Sequence, residues 1–213
     1  MLATFVLSSI IIGCSKDDPL MVIPPTTNLN DVVAEKHMPL AIGNYWVYET
    51  VKIDTLGNET VLNNIDSAYI ERDTVINQNT YYFISGGTTI NHIMGNLIRN
   101  NEGKIVNLNS QNQEKTLFDA ADQGTIYRAD SIYSLPLKFY STTKTSPELV
   151  IKSTLSGVYN AYEGVSNISQ IVPANSGWNK VEKRYYEKSV GIVAGQYVYY
   201  ASPNVFELRL IRY

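Results

Sequence analysis

The sequence predicts an all-β fold, an antiparallel meander forming a strongly curved sheet, half-barrel or sandwich. Three observations carry that expectation. Past Met38 no stretch of ten or more residues keeps a 3.6-residue apolar period, so no long amphipathic helix is expected. Instead about ten to thirteen short runs rich in Val, Ile, Thr and Tyr recur at hairpin spacing, bounded by Gly, Asn, Asp, Ser or Pro. Tyr outnumbers Phe sixteen to five. A Tyr ring keeps its hydroxyl in water over an apolar body, which suits sheet faces at the water boundary.

Taken in order, Gly43-Asn44 leads into a strand from Tyr45 to Ile53. Alternation puts Tyr45, Val47, Val51 and Ile53 on one face and Trp46, Tyr48 and Thr50 on the other. Leu56-Gly57-Asn58 turns the chain. Strands follow from Ile65 to Asp73 and Thr80 to Ser85, with Asn77-Gln78-Asn79 as a tight turn between them. Leu97–Asn100 and Lys104–Leu108 flank Asn101-Glu102-Gly103, a hairpin signal. Thr116–Phe118, Gly124–Arg128 and Ile132–Tyr140 are further strands, with Pro136 restricting the last to an edge or a bulge. Leu149–Leu155 is a strand with two apolar faces, Gly157–Gly164 reads as a loop, and Ile168–Val172 is a short strand stopped by Pro173. Trp178–Lys188, Gly191–Ala201 and Val205–Tyr213 make three strands in succession. In the last, Phe206, Leu208 and Leu210 alternate against Glu207, Arg209 and Arg212, which implies one buried face.

The N-terminus reads differently. Leu2 to Gly13 carries no charge and is too short for a bilayer core, which needs about 20 residues. A secretory h-region fits, although no Lys or Arg precedes it; a start codon further upstream or a weak signal would account for that. The run closes in Ile11-Ile12-Gly13-Cys14, which resembles the lipobox of bacterial lipoproteins. The resemblance implies that residues 1–13 are removed and that the Cys14 thiol and new amine are acylated. Two or more acyl chains give stable membrane attachment at about 0.8 kcal/mol per buried CH₂. Ser15 then stands where inner-membrane retention would place Asp. Lys16-Asp17-Asp18 resembles the acidic tag that sends some Gram-negative lipoproteins to the cell surface; a solvated linker start is the alternative. Together they imply an outer-membrane, lipid-anchored protein exposed at the surface. Residues 14–38, broken by Pro19, Pro24 and Pro25, read as a tether reaching roughly 60 Å if extended. Residues 39–213 form a single β-rich domain.

The formal net charge is −3 and no Lys/Arg cluster interrupts it, which argues against a nucleic-acid partner. Cys14 is the only cysteine, so an acylated chain has no thiolate and no disulfide, and the domain rests on its core.

Chemistry-bearing patterns are sparse. His37 at the tether's end and His92 in a polar loop are expected as solvated histidines, without the further ligands a zinc site needs. No Gly-x-Ser-x-Gly elbow is present, and Ser85-Gly86-Gly87 lacks the lysine of a phosphate loop. Glu49, Glu71, Glu182 and Glu187 sit in strands, where alternation sends Glu to solvent, and no two stand out as a glycosidase pair. Asp119 to Gly124 lacks the spacing of a calcium loop. Asp54-Thr55-Leu56, Asp66-Ser67-Ala68, Asp73-Thr74-Val75 and Asp130-Ser131-Ile132 resemble an O-glycosylation acceptor, with turn chemistry as the favoured reading. No metal, cofactor or catalytic residue is therefore assigned, and the chain is expected not to be an enzyme.

The aromatics are the remaining lead. Trp46, Tyr48 and Trp178 are the candidate ligand-facing rings, against the plainer reading that strands favour aromatics and pair them across strands. Gly43-Asn44-Tyr45-Trp46-Val47-Tyr48, with Tyr185-Tyr186 and Gly191-Ile192-Val193, resembles the β-rich domain of uncharacterised type found behind many such lipoproteins. That resemblance brings no catalytic residues. The expected function is a membrane-anchored, surface or periplasmic lipoprotein whose β-domain binds a glycan or protein partner. The alternative is a half-barrel carrier of a lipid or other apolar ligand, and a hydrolase ranks last.

Overall fold

The computed structural model describes residues 37–101, 104–134, 136–172 and 177–213. Twelve strands lie in one antiparallel sheet among these: β1 (Tyr45–Ile53), β2 (Glu59–Ile76), β3 (Asn79–Gly86), β4 (Leu97–Asn101), β5 (Lys104–Leu108), β6 (Glu114–Asp119), β7 (Ile126–Ser134), β8 (Leu137–Thr154), β9 (Gly157–Val172), β10 (Asn179–Glu187), β11 (Gly191–Val198) and β12 (Val205–Arg212). One helix, α1 (Thr88–Met94), interrupts them. Sequential neighbours pair throughout, and β1 also pairs β12, so β6 and β7 become the two edges of a nearly closed, barrel-like sheet.

The expected all-β meander is therefore present, with differences in length. The run Gly157–Gly164, expected as a loop, is the first half of β9 and pairs with β8 from Thr154↔Gly157 to Lys138↔Val172. Its alternation of small, aromatic and polar residues looked loop-like because one face is left polar. Pro136 splits its expected strand into β7 and β8.

The register shows which residues face inward. Leu208 pairs Thr50, Leu210 pairs Tyr48, and Trp46 pairs Ala68, so this end of the barrel is filled by Trp46, Tyr48, Ala68, Leu208 and Leu210. Phe118 stacks on Tyr186 at 4.2 Å, and Ile98 and Ile105 close the layer. Both rings of the first strand find polar partners. Trp46 Nε1 donates to the Val190 carbonyl at 2.5 Å and Tyr48 OH to the Ile192 carbonyl at 2.8 Å. Buried Trp and Tyr require such partners, because an unpaired donor costs about 1–3 kcal/mol.

His37 and Met38 belong to this core rather than to a tether. Each is 1 % exposed, and the His37 ring lies 5.0 Å from Tyr162 and 5.3 Å from Phe118. A solvated His37 was expected, and the aromatic pocket that takes it comes from β6 and β9, far away in sequence.

Helix α1 was expected as a polar loop. Its seven residues are too few to show a period, and tertiary contacts hold it. Ile93 packs where a Cβ on Gly195 would stand 2.9 Å from it, so β11 needs a glycine there. At the other end Asp66, on the inner face of β2, accepts the Ile90 backbone N–H at 3.0 Å and so caps an orphan donor from across the sheet. Any side chain at Gly87 would collide with that carboxylate.

Outside, the long β8–β9 hairpin bends after Pro147 and lays its tip over β12. Lys152 Nζ meets Glu207 Oε1 at 2.7 Å, Arg209 Nε meets the same oxygen at 2.6 Å, and Ser156 Oγ donates to the Leu210 carbonyl. Burial pushes the fully covered Glu207 carboxyl up, but the charges and hydrogen bonds of Lys152, Arg209 and Gln196 outweigh it and leave the pKa below its usual range.

Asp66→Ala leaves the Ile90 N–H unpaired and should lower unfolding stability by about 1–2 kcal/mol. A urea titration that returns an unchanged midpoint would contradict the cross-sheet cap.

Candidate functional site

The β7–β10 wall is built differently from the rest of the barrel. Following the pairing inward-face residue by residue, Arg128 sits opposite Thr143, Thr143 opposite Ser166, and Ser166 opposite Glu182. On the far side of the seam, Asn107 pairs Lys115. A second row runs Asp130, Ser141, Ile168 and Lys180. The inner face of this half is thus a girdle of polar and charged groups around a cavity of about 140 Å³. Gly95, His92 and Arg184 also line it, with Leu117 and Ile132 as apolar neighbours.

Charges in the girdle are partly neutralised. Asp130 takes Lys115 Nζ at 3.0 Å and Arg128 Nε at 2.5 Å. Burial raises the Asp130 pKa, yet the hydrogen bonds and charges of Arg128 and Lys115 win and hold its carboxyl below the usual range. Glu182, 8 % exposed, accepts the Val198 N–H at 3.1 Å. Arg184 Nε and Asn107 Oδ1 are buried without hydrogen-bond partners. The Lys115 side chain, 37 % exposed, stands between the cavity and the outside.

The seam between β6 and β7 is closed by side chains. Tyr127 OH and Tyr186 OH both donate to the Leu117 carbonyl, at 3.2 and 3.3 Å. Burial pushes both phenols up, so they stay protonated donors.

The mouth near this girdle is rimmed with aromatics. Trp178 lies 5.1 Å from Phe139 and 5.5 Å from Tyr200, and its Nε1 donates to the Tyr200 carbonyl at 3.2 Å. Beside them Tyr197, Tyr199 and Phe206 form a second cluster, with Tyr199 55 % and Tyr200 48 % exposed. A groove of about 330 Å³ runs between Tyr197–Tyr199 and Thr88, Thr89 and His92 of α1. His92 lines both the groove and the cavity.

Of the three aromatics the sequence singled out, Trp46 and Tyr48 are core, at 1 % and 0 % exposed, and cannot face a ligand. The strand's aromatic face was correctly separated from its other face, but that face turns inward. Trp178 alone stands at the rim, half-buried. Glu182, expected toward solvent, faces inward because β10 lines the polar wall. His92 is exposed as expected, on a helix rather than a loop. Asp119 binds its own turn, accepting the Ala121 and Asp122 N–H groups at 3.0 Å each. Among the Asp-Ser/Thr triplets only Asp54 makes a turn, accepting from Leu56 and Asn58; the other three lie within strands β2 and β7. Among the described residues no group of three or more His, Cys, Asp or Glu side chains could hold a metal ion. Cys14, Ser15, Lys16, Asp17 and Asp18 lie outside the described residues.

Two solved structures are similar to this chain. One is described as "a putative lipoprotein" from Parabacteroides distasonis ATCC 8503, with 13% identity and a TM-score of 0.45, covering 80% of this chain and 94% of that one. The other is "a putative exported protein with YmcC-like fold" from Bacteroides fragilis NCTC 9343, with 10% identity and a TM-score of 0.45, covering 81% and 96%. Those overlaps are too loose to carry function across. No protein-family model matches the chain, and neither does any curated protein.

A depressed Asp130 pKa stabilises the fold above the ordinary carboxylate value, near 3.9, and that contribution is lost as pH falls through the lower folded value. Asp130→Asn should therefore be less stable than the parent at pH 7, with the gap in urea midpoint shrinking by pH 3. An equal gap at both values would contradict the ion pairs across the seam.

Proposed function

We propose that this chain is a cell-envelope lipoprotein, anchored through acyl groups on Cys14, whose barrel is a non-catalytic module binding a glycan at its aromatic mouth. The observation that carries the binding half is the rim itself. Trp178, Tyr199 and Tyr200 present ring surface at the opening, beside a groove whose opposite wall offers the Thr88 and Thr89 hydroxyls and the His92 imidazole. Sugar rings pair an apolar face with a hydroxyl edge, so stacking rings beside hydroxyl and imidazole groups match both. Ligand sites of this size, aromatic-lined with few polar groups, favour the mouths of barrels. The Ile11-Ile12-Gly13-Cys14 run supports the anchoring half, and Ser15-Lys16-Asp17-Asp18 supports placement on the outer-membrane surface.

An apolar-chain carrier is less well supported. The apolar end of the barrel is filled by Met38, Trp46, Phe118 and their neighbours, and the void beside Met38, Met94 and Ile105 is about 10 Å³. An acyl chain needs far more room than one water.

Trp46 is fully buried, so its emission should be constant while Trp178 reports the rim. Adding polysaccharide should shift or quench the tryptophan emission, and Trp178→Phe should abolish the response. Mass spectrometry of native material should show an acylated Cys14 as the first residue. Emission that no polysaccharide changes would overturn the binding reading, and an unmodified thiol would overturn the anchor.

A further inference from the structure

We propose that the polar girdle inside the barrel is a subsite for the carboxylate of an acidic sugar, a uronic acid. This deepens the glycan reading above and rests on it. Arg184 is the side chain that points to it. Its Nε is buried inside the wall with no acceptor, and Asn107 Oδ1 across the cavity is buried with no donor. Buried polar groups in folded chains are nearly always hydrogen-bonded, so two unpaired ones facing one cavity point to a missing partner. A bound carboxylate would accept from Arg184, and a sugar hydroxyl would donate to Asn107.

Charge selects the ligand further. Lys115, Arg128 and Arg184 face the cavity with Glu182, and Asp130 shares their face one row away. Asp130 is engaged by Lys115 and Arg128, and Glu182 by the Val198 N–H. Lys180 of that second row is held by the Ser202 and Pro203 carbonyls, so the wall carries more positive than negative charge, and Arg184 is the cation whose Nε finds no acceptor. An anion suits that balance, and a carboxylate matches the planar fork of a guanidinium.

The cavity, about 140 Å³, has room for several waters, hence for a carboxylate and the ring edge that carries it. Ser141 lines it, as do Thr143 and Ser166, whose hydroxyls pair with each other at 2.9 Å and can turn toward sugar hydroxyls. His92 lines both spaces, so a chain lying on the aromatic rim would deliver one acidic residue inward past it.

The test uses purified full-length protein in detergent, titrated calorimetrically with glucuronate, glucose and inorganic phosphate. Glucuronate should bind, weakening as salt rises, and glucose should bind at least about tenfold more weakly, the loss expected for one charged contact. Arg184→Gln should weaken glucuronate by about tenfold or more, and Arg184→Lys should recover part of that because the charge remains. Thermal melts of both variants establish that they fold. Glucuronate affinity unchanged in folded Arg184→Gln would overturn the subsite, as would phosphate binding more tightly than glucuronate through Arg184. In either case, Trp178-dependent binding of neutral polysaccharide would show that the rim survives and only the carboxylate subsite fails.

Discussion

The Leu117 backbone carbonyl ties the two edges of the barrel together. It sits on β6, an edge strand whose outer ladder has no strand partner, and it receives the hydroxyls of Tyr127 from β7 and Tyr186 from β10. An exposed edge is a liability, because its unpaired groups recruit other chains. Here tyrosines take the place of a neighbouring strand, and Lys115 and Asp130 add an ion pair beside them. The curvature that brings β6 to β7 also encloses the girdle. If the edges part, the cavity becomes an open face and the charged wall of β7–β10 faces bulk water.

Closing the seam with side chains has a consequence for the interior. A backbone ladder would need β6 and β7 in register, whereas Tyr, Lys and Asp reach across a wider gap. Polar side chains at the gap line a cavity of about 140 Å³, with Glu182 and Arg184 on its wall. The opposite wall is packed by Trp46, Tyr48 and α1. The barrel therefore divides into a packed half that supplies stability and a polar half that has room for a ligand.

Much of this architecture was legible in the sequence. Alternating Phe206, Leu208 and Leu210 gave β12 and its inner face, and hairpin spacing gave the meander. The β1 faces were separated correctly, but periodicity cannot tell which face turns inward, so Trp46 and Tyr48 looked free for a ligand. The polar wall was harder to read. Alternation was expected to send Glu182 to solvent, and the structure instead turns Glu182 and Arg184 in. The available signal was the middle of β8, where Ser141, Thr143 and Thr145 alternate with Thr142 and Lys144 and leave that stretch without an apolar face. A stretch paired on both sides yet without an apolar face is the place to look for a polar lining. Helix α1 and buried His37 were invisible because distant residues hold both in place.

The seam is tested most directly by proton NMR of the folded protein, through cross-relaxation between the Tyr127 ring and Leu117. The closed barrel predicts strong contacts between them and a Tyr127 hydroxyl proton slow to exchange with water. A Tyr127 ring without contact to β6, its hydroxyl exchanging freely, would contradict it and leave an open sheet.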